Sequence, residues 1–456
     1  MSSRLLLPAA LAVLIVACGS SDDAAPRPTA TVALPTATQP MRTATNTPTR
    51  TAPATGTPPP TDTPRPSTVP ATSTPAPTDT APPTATFPPT APPTQTSTAT
   101  PTATPSQTPP EATDWPSAAE ANAAIGNGVE VLSPCCGQDP VVGDIDARAA
   151  AVKEAGFTGV RYAVKFSPGQ NPAPPHDIDP AYLDQIRAEI RVLTDHGLTV
   201  VLNNNESLDD PDRSGDRLVS RWTHIAERFA DLPPSVYFEI ANEPSWAQSA
   251  SFGTDTAVTP DQWNALVARV IPVIRATNPQ RTIVVSGALW SLPLAIPQLV
   301  LPSDDGHLIA TFHHYAPLQF THQGSWIAGS DAWIGTTWTG TAGEVAAMKA
   351  ALNDAVCWSR DTGIPLFLGE FSSYNAGTYT DQSPMLWNKT VVQLAEAEGI
   401  SWTYFLLNGT YATATGKIRL DALWDESAHI WNQPVLDALD EGRSEPIEPW
   451  ADCDDD

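Results

Sequence analysis

The sequence predicts an α/β protein, a (β/α)8 TIM barrel preceded by a disordered linker rich in Pro and Thr. After residue 112, strand-like apolar runs alternate with helix-like runs in eight units. Predicted helices also end at glycines that precede the next strand, as at Gly197, Gly363 and Gly399. Strict alternation requires a parallel sheet, and eight repeats favour a closed barrel. The alternative is a doubly wound open sheet, but no strand is followed by a Gly-x-Gly-x-x-Gly turn or a phosphate-binding loop.

Residues 1–18 are predicted to be a lipoprotein-type export signal with its lipidation cysteine. Arg4 precedes an apolar run, 5–16, that is too short to cross a bilayer as a permanent helix. The run ends at Cys18 in a stretch that resembles a bacterial lipobox, in which Cys18 becomes a lipid-modified N-terminus. An ordinary cleavage site beside an unmodified cysteine is the alternative. We expect a chain that is exported and lipid-anchored at the bacterial cell surface or envelope, or secreted, with membrane contact only through the anchor.

Residues 19–112 are predicted to be a disordered linker. The segment consists mainly of Thr, Pro, Ala and Ser, and 24 of the 49 prolines lie between Pro26 and Pro110. It lacks the apolar side chains that would offset the entropy of ordering, and its prolines keep the chain extended. We therefore expect a semi-rigid spacer rather than a folded domain.

Residues 113–446 are assigned to the barrel and residues 447–456 to an acidic C-terminal tail. Before Thr113, five arginines balance five acidic residues, so the net charge of −26 belongs to the rest of the chain. Such a charge repels nucleic acid and anionic lipid head groups, which favours an uncharged substrate. We expect a monomer with no nucleic-acid partner.

Four cysteines follow Cys18, namely Cys135, Cys136, Cys357 and Cys453. Disulfides are expected in a chain that leaves the reducing cytosol, and four thiols allow three pairings among which the sequence does not choose. A structural zinc site is the alternative, but no cysteine pair has the spacing of two to four residues that such sites favour.

The strands are predicted from apolar runs rich in Val, Ile, Leu and aromatic residues. They are Val129–Ser133, Gly159–Val164, Leu198–Asn203, Val236–Ala241, Thr282–Ser286, Leu308–His313, Leu366–Gly369 and Trp402–Leu407. Helices between them show apolar residues on one face, and Thr259-Pro260 marks the start of one over 261–277.

In a parallel eight-stranded barrel the chemistry lies at the carboxyl ends of the strands. The polar and aromatic residues predicted there are Arg161, Asn205, Asn242, Glu243, Trp290, His313, Tyr315, Glu370 and Phe405. Two carboxylates at one mouth indicate acid/base or nucleophilic chemistry.

Four short motifs in chain order make residues 125–439 resemble glycoside hydrolase family 5, the family of cellulases and mannanases. They are Gly159-Val160-Arg161, Asn242-Glu243-Pro244, His313-His314-Tyr315 and Gly369-Glu370-Phe371 on predicted strands two, four, six and seven. The stretches 320–324 and 338–340 are similar to those of bacterial endoglucanase-type members.

The resemblance implies a retaining double displacement on a β-1,4-linked glycan, with an endo-β-glucanase as the expected enzyme. Glu370 is expected to be the nucleophile and Glu243 the acid/base. The supporting and substrate-binding residues are expected to be Arg161, Asn205, Asn242, Trp290, His313, Tyr315 and Phe405. Of these, Arg161 and Tyr315 would keep Glu370 ionised, Asn242 would bind a sugar hydroxyl and His313 would orient the network. The chemistry implies no cofactor.

Several single residues are open to more than one interpretation. Glu239 lies within the fourth strand and is expected to make an internal polar contact, whereas Arg161 is open to a purely structural salt bridge. Adjacent His313 and His314 point to opposite faces of a strand, so no metal site is expected there. A tryptophan outside the strands can either stack on a sugar ring or pack in the core, and both roles are open for Trp290, Trp326, Trp333 and Trp338. Substrate contact is favoured for Trp290.

Two positions depart from the family pattern. Asn205 stands where members usually carry a histidine, and Phe405 where they usually carry a tryptophan. The second departure leaves the substrate preference open, and β-mannanase action or action on oligosaccharides or glycolipids are the alternatives within hydrolases. The two departures also leave open a barrel that binds surface glycans without cleaving them.

Overall fold

A computed structural model describes residues 115–133, 144–208, 213–246, 257–325, 327, 329–375, 382–408, 411–413, 416–420, 422–445 and 447–453. The predicted export signal with Cys18, the predicted linker, Cys135, Cys136 and Trp326 lie outside these residues. No helix in these ranges is both long and apolar enough to span a membrane.

Eight parallel strands close into a barrel, which confirms the predicted fold. The barrel strands are β1 (Asn127–Leu132), β2 (Gly159–Val164), β3 (Thr199–Asn204), β4 (Val236–Glu239), β5 (Ile283–Ser286), β6 (Leu308–His313), β7 (Leu366–Glu370) and β9 (Ser401–Tyr404). Each strand pairs with the next along the chain, and β9 pairs with β1 to close the ring. The two-residue strand β8 (Tyr374–Asn375) is outside the barrel and pairs with β11.

Helices lie between the barrel strands, before the first of them and after the last. They are α1 (Ala118–Ile125), α2 (Ile145–Glu154), α3 (Pro180–Asp195), α4 (Asp216–Arg228), α5 (Pro260–Arg275), α6 (Ala288–Ser291), α7 (Leu318–Thr321), α8 (Ala342–Thr362), α9 (Ser383–Ala397) and α10 (Gln433–Ser444). Thr259 caps α5 in a capping box with Gln262, and Pro260 occupies the first turn as predicted. Helix α8 ends at Gly363, which has φ 72°, a conformation that favours glycine.

Short strands and one-turn segments complete the described structure. The strands are β10 (Tyr411–Thr413), β11 (Gly416–Leu420), β12 (Trp424–Asp425) and β13 (Ile430–Trp431). The 3-10 turns are Ser167–Gly169, Pro293–Gln298 and Ser330–Trp333.

Two apolar cores lie on the two faces of the sheet. The larger fills the space between the strands and the surrounding helices. The smaller lies inside the barrel, where Val201, Tyr237, Val284, Ile309 and Phe367 from five strands pack against Ala121 and Ile125 of α1. Helix α1 therefore closes the amino-terminal end of the barrel.

The barrel interior has a second layer of side chains, closer to the carboxyl ends of the strands, and this layer is polar. Side chains two residues apart on a strand share a face, so Glu239 follows Tyr237 and Thr311 follows Ile309 on the inner face. Glu239 and Thr311 are both fully buried. The barrel interior thus changes from an apolar floor to a polar layer just below the mouth.

Residues 447–453, from the predicted acidic tail, pack against α8 and α9. Cys453 forms a disulfide with Cys357 of α8, a pairing that the sequence left open. The backbone amides of Trp450 and Ala451 donate to Glu398 at the end of α9. This segment is therefore held by a covalent bond as well as by hydrogen bonds.

Candidate active site

Glu243 and Glu370, the two predicted strand-end carboxylates, meet in one buried group with His313. Each of the three offers an oxygen or ring nitrogen, and these atoms all lie within 4.8 Å of one another. Glu370 is 3% and Glu243 6% exposed. The closed barrel causes this meeting, because the ends of β4, β6 and β7 surround the same mouth.

Glu243 follows β4 in a turn that its neighbours fix through the backbone. The indole nitrogen of Trp222 on α4 donates to the carbonyl of Ile240 at 2.9 Å. The amide of Asn242 donates to the carbonyl of Asn204, and the Ser291 hydroxyl donates to the carbonyl of Asn242. The turn that carries Glu243 is therefore anchored to β3, α4 and the segment after β5.

A bulge at Gly369 directs Glu370 into the mouth. Phe312 of β6 pairs with Leu368, but His313 pairs with Glu370, so Gly369 is the extra residue on β7. A bulge of this kind turns the side chain that follows it. A Cβ atom at Gly369 would lie 2.8 Å from Thr311 Oγ1 and 3.4 Å from Arg161 Nε. Only glycine lets the network approach β7 this closely.

Arg161 was predicted at the carboxyl end of its strand, but it is the third of the six residues of β2. It lies at the centre of the polar layer with no exposed surface. Its Nε and Nη2 donate to the two oxygens of Glu239, at 2.8 and 2.7 Å. Its Nη2 also donates to Asn242 Oδ1 at 2.6 Å, and its Nη1 to Glu370 Oε1 at 2.6 Å. A further bond runs from Nη1 to Oε2 of Glu130. Arg161 therefore links β1, β2, β4 and β7, and Glu239 makes the internal contact that the sequence predicted.

Tyr315 and Arg161 contact different oxygens of Glu370. The Tyr315 hydroxyl donates to Oε2 at 3.0 Å, whereas Arg161 donates to Oε1. The Tyr315 carbonyl accepts a bond from Thr321 Oγ1, and its ring meets His322 edge-on at 5.0 Å. The loop after β6 thus fixes the donor that faces the carboxylate.

His313 lies between the two glutamates, 2.9 Å from Glu243 Oε1 and 3.5 Å from Glu370 Oε2, through the same Nδ1. Its Nε2 is 3.4 Å from Arg161 Nη2. A guanidinium has no acceptor, so Nε2 carries the lone pair and Nδ1 carries the hydrogen. His313 therefore donates to Glu243. Burial, and then the charge of Arg161, hold the pKa of His313 well below its usual value, so the ring is neutral.

Burial raises the pKa of both glutamates, but their neighbours act differently on each. The charge of Glu370 adds to the rise at Glu243, whose pKa lies well above its usual value. At Glu370, the charge of Arg161 and the bonds from Arg161 and Tyr315 oppose the rise in pKa that burial causes. These opposing contacts are stronger at Glu370, so Glu370 ionises before Glu243 as pH rises.

The structure brings the predicted residues Arg161, Asn242, His313 and Tyr315 into contact with the two glutamates or with each other. Asn205 and Trp290 follow their strands as predicted, whereas Phe405, predicted within the eighth strand, lies just after β9. They are 4%, 6% and 4% exposed, in that order. Trp290 and Phe405 thus offer only a small part of each ring to a ligand.

The structure shows how far two of the tryptophans and His314 are buried. Trp338 is 1% exposed and belongs to the core, while Trp333 is half-buried. His314 points away from His313, as predicted, and stacks on Trp387 at 6.0 Å. Burial lowers the pKa of His314 to about 4.

Glu130 is a member of the network that the sequence argument missed. It lies in the middle of β1, fully buried and in register with Arg161. The available signal was a charged residue inside an otherwise uncharged strand, and such a residue needs a partner when buried.

Glu243, His313 and Glu370 also form a group of ligand type, with two carboxylates and one imidazole. Zinc takes such ligands at about 2.0–2.2 Å. Hydrogen bonds within the chain explain why the three residues lie together. His313 donates to Glu243, and Arg161 and Tyr315 donate to Glu370. The arrangement therefore has an explanation within the chain.

Comparison with known proteins places this site in a family. The family described as Cellulase (glycosyl hydrolase family 5) matches residues 124–410, which include both glutamates. Endoglucanase H of Acetivibrio thermocellus is 27% identical over 291 residues, which cover 63% of this chain and 29% of that protein. The chain therefore spans less than a third of the length of that relative.

Several solved structures match over almost their whole length. A hyperthermophilic endo-β-1,4-glucanase in complex with substrate is 30% identical with a TM-score of 0.61, covering 71% of this chain and 99% of that one. Cel5A of Thermotoga maritima in complex with mannotriose is 28% identical with a TM-score of 0.60, covering 70% and 99%.

Proposed function

The chain belongs to glycosyl hydrolase family 5, and on this premise we propose that it is a retaining endo-β-1,4-glucanase. The observation that carries the proposal is the pairing of two buried carboxyls, with oxygens within 4.8 Å, across one mouth. Retaining glycosidases need carboxyl groups about 5–5.5 Å apart, whereas inverting ones need about 6.5–9.5 Å to admit a water. The separation supports double displacement.

In the first step, an oxygen of Glu370 attacks the anomeric carbon and the glycosidic bond breaks. The proton of Glu243 goes to the leaving oxygen, so the products are a glycosyl ester on Glu370 and a free sugar hydroxyl. The contacts support these roles, because Arg161 and Tyr315 stabilise the ionised form of Glu370. Burial keeps Glu243 protonated and ready to donate.

In the second step, water attacks the anomeric carbon of the ester. Glu243, now ionised, takes a proton from that water, and Glu370 leaves as a carboxylate. The neutral His313 donates to Oε1 of Glu243, which leaves Oε2 to carry the proton in both directions. Both residues then return to their starting states.

The substrate we propose is a β-1,4-linked glucan, because the relatives named above are called endoglucanases. β-1,4-Mannan is the second candidate, favoured by the mannotriose complex of a structure 28% identical to this chain. Release of reducing sugar from β-1,4-glucan, mixed-linkage glucan, glucomannan, mannan and aryl glycosides distinguishes them. We expect the two glucans to be cleaved fastest.

The test of catalysis is Glu370→Ala in the purified protein, with Glu189→Gln as the matched control. Glu189 is a buried glutamate that accepts from Ser133 and Tyr162. We expect Glu370→Ala to lower kcat by about 10⁴-fold or more, and Glu189→Gln to retain most activity. Equal reducing-sugar release by wild type and Glu370→Ala would overturn the catalytic proposal. Retained glycan binding with no turnover in either would favour a glycan-binding barrel.

We also propose that the chain is exported and lipid-anchored through Cys18, and acts as a monomer. The support is the apolar run before Cys18 and the long Thr/Pro-rich segment after it. Cys18→Ser expressed in a bacterial host should lose incorporated fatty acid and leave the membrane fraction. An unchanged fractionation would refute the anchor, and light scattering tests the monomer.

A further inference from the structure

Arg161 uses all five of its N–H groups within the polar layer. Nε and one Nη2 hydrogen go to Glu239, and the other Nη2 hydrogen goes to Asn242, with His313 Nε2 as a longer, shared acceptor 3.4 Å from Nη2. The two Nη1 hydrogens go to two different carboxyls, Glu130 and Glu370. Glu130 and the proposed nucleophile therefore both accept from Nη1 of Arg161. The double displacement assigns no role to Glu130.

We propose that Glu130 is a positioning residue that carries a proton in the working enzyme and, as a neutral acceptor, aligns the Arg161 guanidinium on Glu370. The inference deepens the proposed function and rests on it for the role of Glu370. It makes Glu130 a partner of the nucleophile that never touches the sugar.

The charges around Arg161 favour a proton on the carboxyl of Glu130. Glu239 binds the guanidinium with both oxygens, so this pair is already neutral. An ionised Glu370 then adds one negative charge, and an ionised Glu130 would add a second at the same nitrogen. Two unbalanced charges with almost no solvent contact are strongly unfavourable, whereas a neutral carboxyl at position 130 is not.

The second oxygen of Glu130 supports this assignment. Oε1 is buried and has no hydrogen-bond partner among the residues the structure describes. In the ionised form this oxygen would share a buried negative charge without a donor of its own, whereas in the neutral form Oε1 carries the hydrogen and Oε2 accepts from Arg161. Burial, and the charges of Glu370 and Glu239, raise the pKa of Glu130 well above its usual value, although Arg161 opposes the rise.

The titratable groups that face Glu130 come from several strands, and each affects its charge. Among the described residues they are Arg161 on β2, Glu239 on β4, Glu243 after β4 and Glu370 on β7, and His313 on β6 contacts Arg161 in turn. His313 is neutral, so Arg161 is the cation of this group.

The kinetic test compares Glu130→Ala with Glu130→Gln. Glu130→Ala leaves one buried Nη1 hydrogen unpaired, so we expect kcat to fall by about tenfold to a hundredfold. In the profile of kcat/KM against pH, the acid limb should move to higher pH, because a misaligned Arg161 stabilises ionised Glu370 less. Glu130→Gln keeps a neutral acceptor and should recover most of kcat, with the acid limb returned near its wild-type pH.

If Glu130 is instead ionised, Glu130→Gln removes a negative charge beside Glu370. The acid limb then moves to lower pH, which would overturn the proposal. Because the amide is isosteric, this variant gives a result even where Glu130→Ala does not fold.

A spectroscopic test is independent of turnover. The infrared spectrum of wild type minus Glu130→Gln at pH 7 should contain the carbonyl stretch of a protonated carboxylic acid. The matched control is Glu398→Gln, since Glu398 is a poorly exposed glutamate paired with Arg360 and two backbone amides. That control should lose only carboxylate bands. Loss of only carboxylate bands in Glu130→Gln as well would refute the protonated state, whether or not the protein cleaves glycans.

Discussion

The hydroxyl of Tyr315 lies 3.0 Å from Oε2 of Glu370, while Arg161 contacts the other oxygen of the same carboxylate. The two donors come from opposite sides of the barrel, one from the loop after β6 and the other from β2. Both favour the ionised form, so both determine the pH at which the proposed nucleophile becomes available.

Tyr315→Phe is expected to shift the acid limb of the pH–rate profile upward. The lost hydrogen bond lowered the pKa of Glu370, so its removal raises that pKa further. Activity needs ionised Glu370 and therefore falls at a higher pH in the variant. The basic limb of the profile, which reports loss of the Glu243 proton, should remain at its wild-type pH. The measurement is kcat/KM against pH, and Tyr182→Phe is the control because its hydroxyl bonds the Lys165 carbonyl. The same shift in both variants contradicts this role.

Glu243→Gln should discriminate between substrates by their leaving groups. The amide cannot donate a proton, so cleavage of a glucan, whose leaving alcohol needs protonation, should fall by about 10²–10⁴-fold. An aryl glycoside with an acidic phenol should lose far less in the glycosylation step. Steady-state and burst kinetics on both substrates measure the difference. Equal losses on the two substrates would argue against Glu243 as the general acid.

Gly369→Ala is expected to reduce both activity and stability. The added Cβ would lie 2.8 Å from Thr311 Oγ1 and 3.3 Å from His313 Nε2, so the network below Glu370 must move. We expect a loss of about 1–3 kcal/mol in the free energy of unfolding, and a lower kcat because Glu370 is misplaced. Gly343→Ala is the matched control, since its Cβ would meet no atom within 4 Å. Wild-type kcat in Gly369→Ala would show that the close approach at β7 is dispensable.

Breaking the Cys357–Cys453 disulfide should destabilise the barrel without changing its chemistry. The bond closes a loop of 96 residues, and its removal should cost about 2–4 kcal/mol. Urea unfolding of Cys357→Ser/Cys453→Ser against wild type, with and without reductant, measures the loss. The double variant should keep the wild-type kcat below its unfolding transition. A stability equal to wild type would mean that the hydrogen bonds of 447–453 suffice.

The strands could be predicted largely because burial and strand pairing coincide in a barrel. The predicted bounds of β2 and β6 match those observed. The predicted fourth and eighth strands extend too far, since β4 ends at Glu239 and β9 at Tyr404. Ile240 and Leu406 are fully buried although they lie outside the strands. The apolar pattern reports burial, so it cannot show where pairing stops.

The site was predictable only in part. Strand-end position was enough to bring Glu243 and Glu370 together, because all parallel strands end at one mouth. Glu130 was missed although it is a charged residue in an otherwise uncharged strand, because its place beside Arg161 depends on the register in which β1 pairs with β2. Trp338 could not be assigned either, since an aromatic residue in a long loop fits a ligand surface and a core equally well until its neighbours are known. The cysteine pairing likewise depends on how 447–453 returns to α8.

The disulfide has a consequence for the products of backbone cleavage. The covalent loop between Cys357 and Cys453 encloses β7 and thus Glu370, while Glu243 lies outside it. A single backbone cut anywhere within the loop leaves both fragments bonded to each other. The nicked chain should run at full length on a denaturing gel without reductant and separate into two bands only when the bond is reduced.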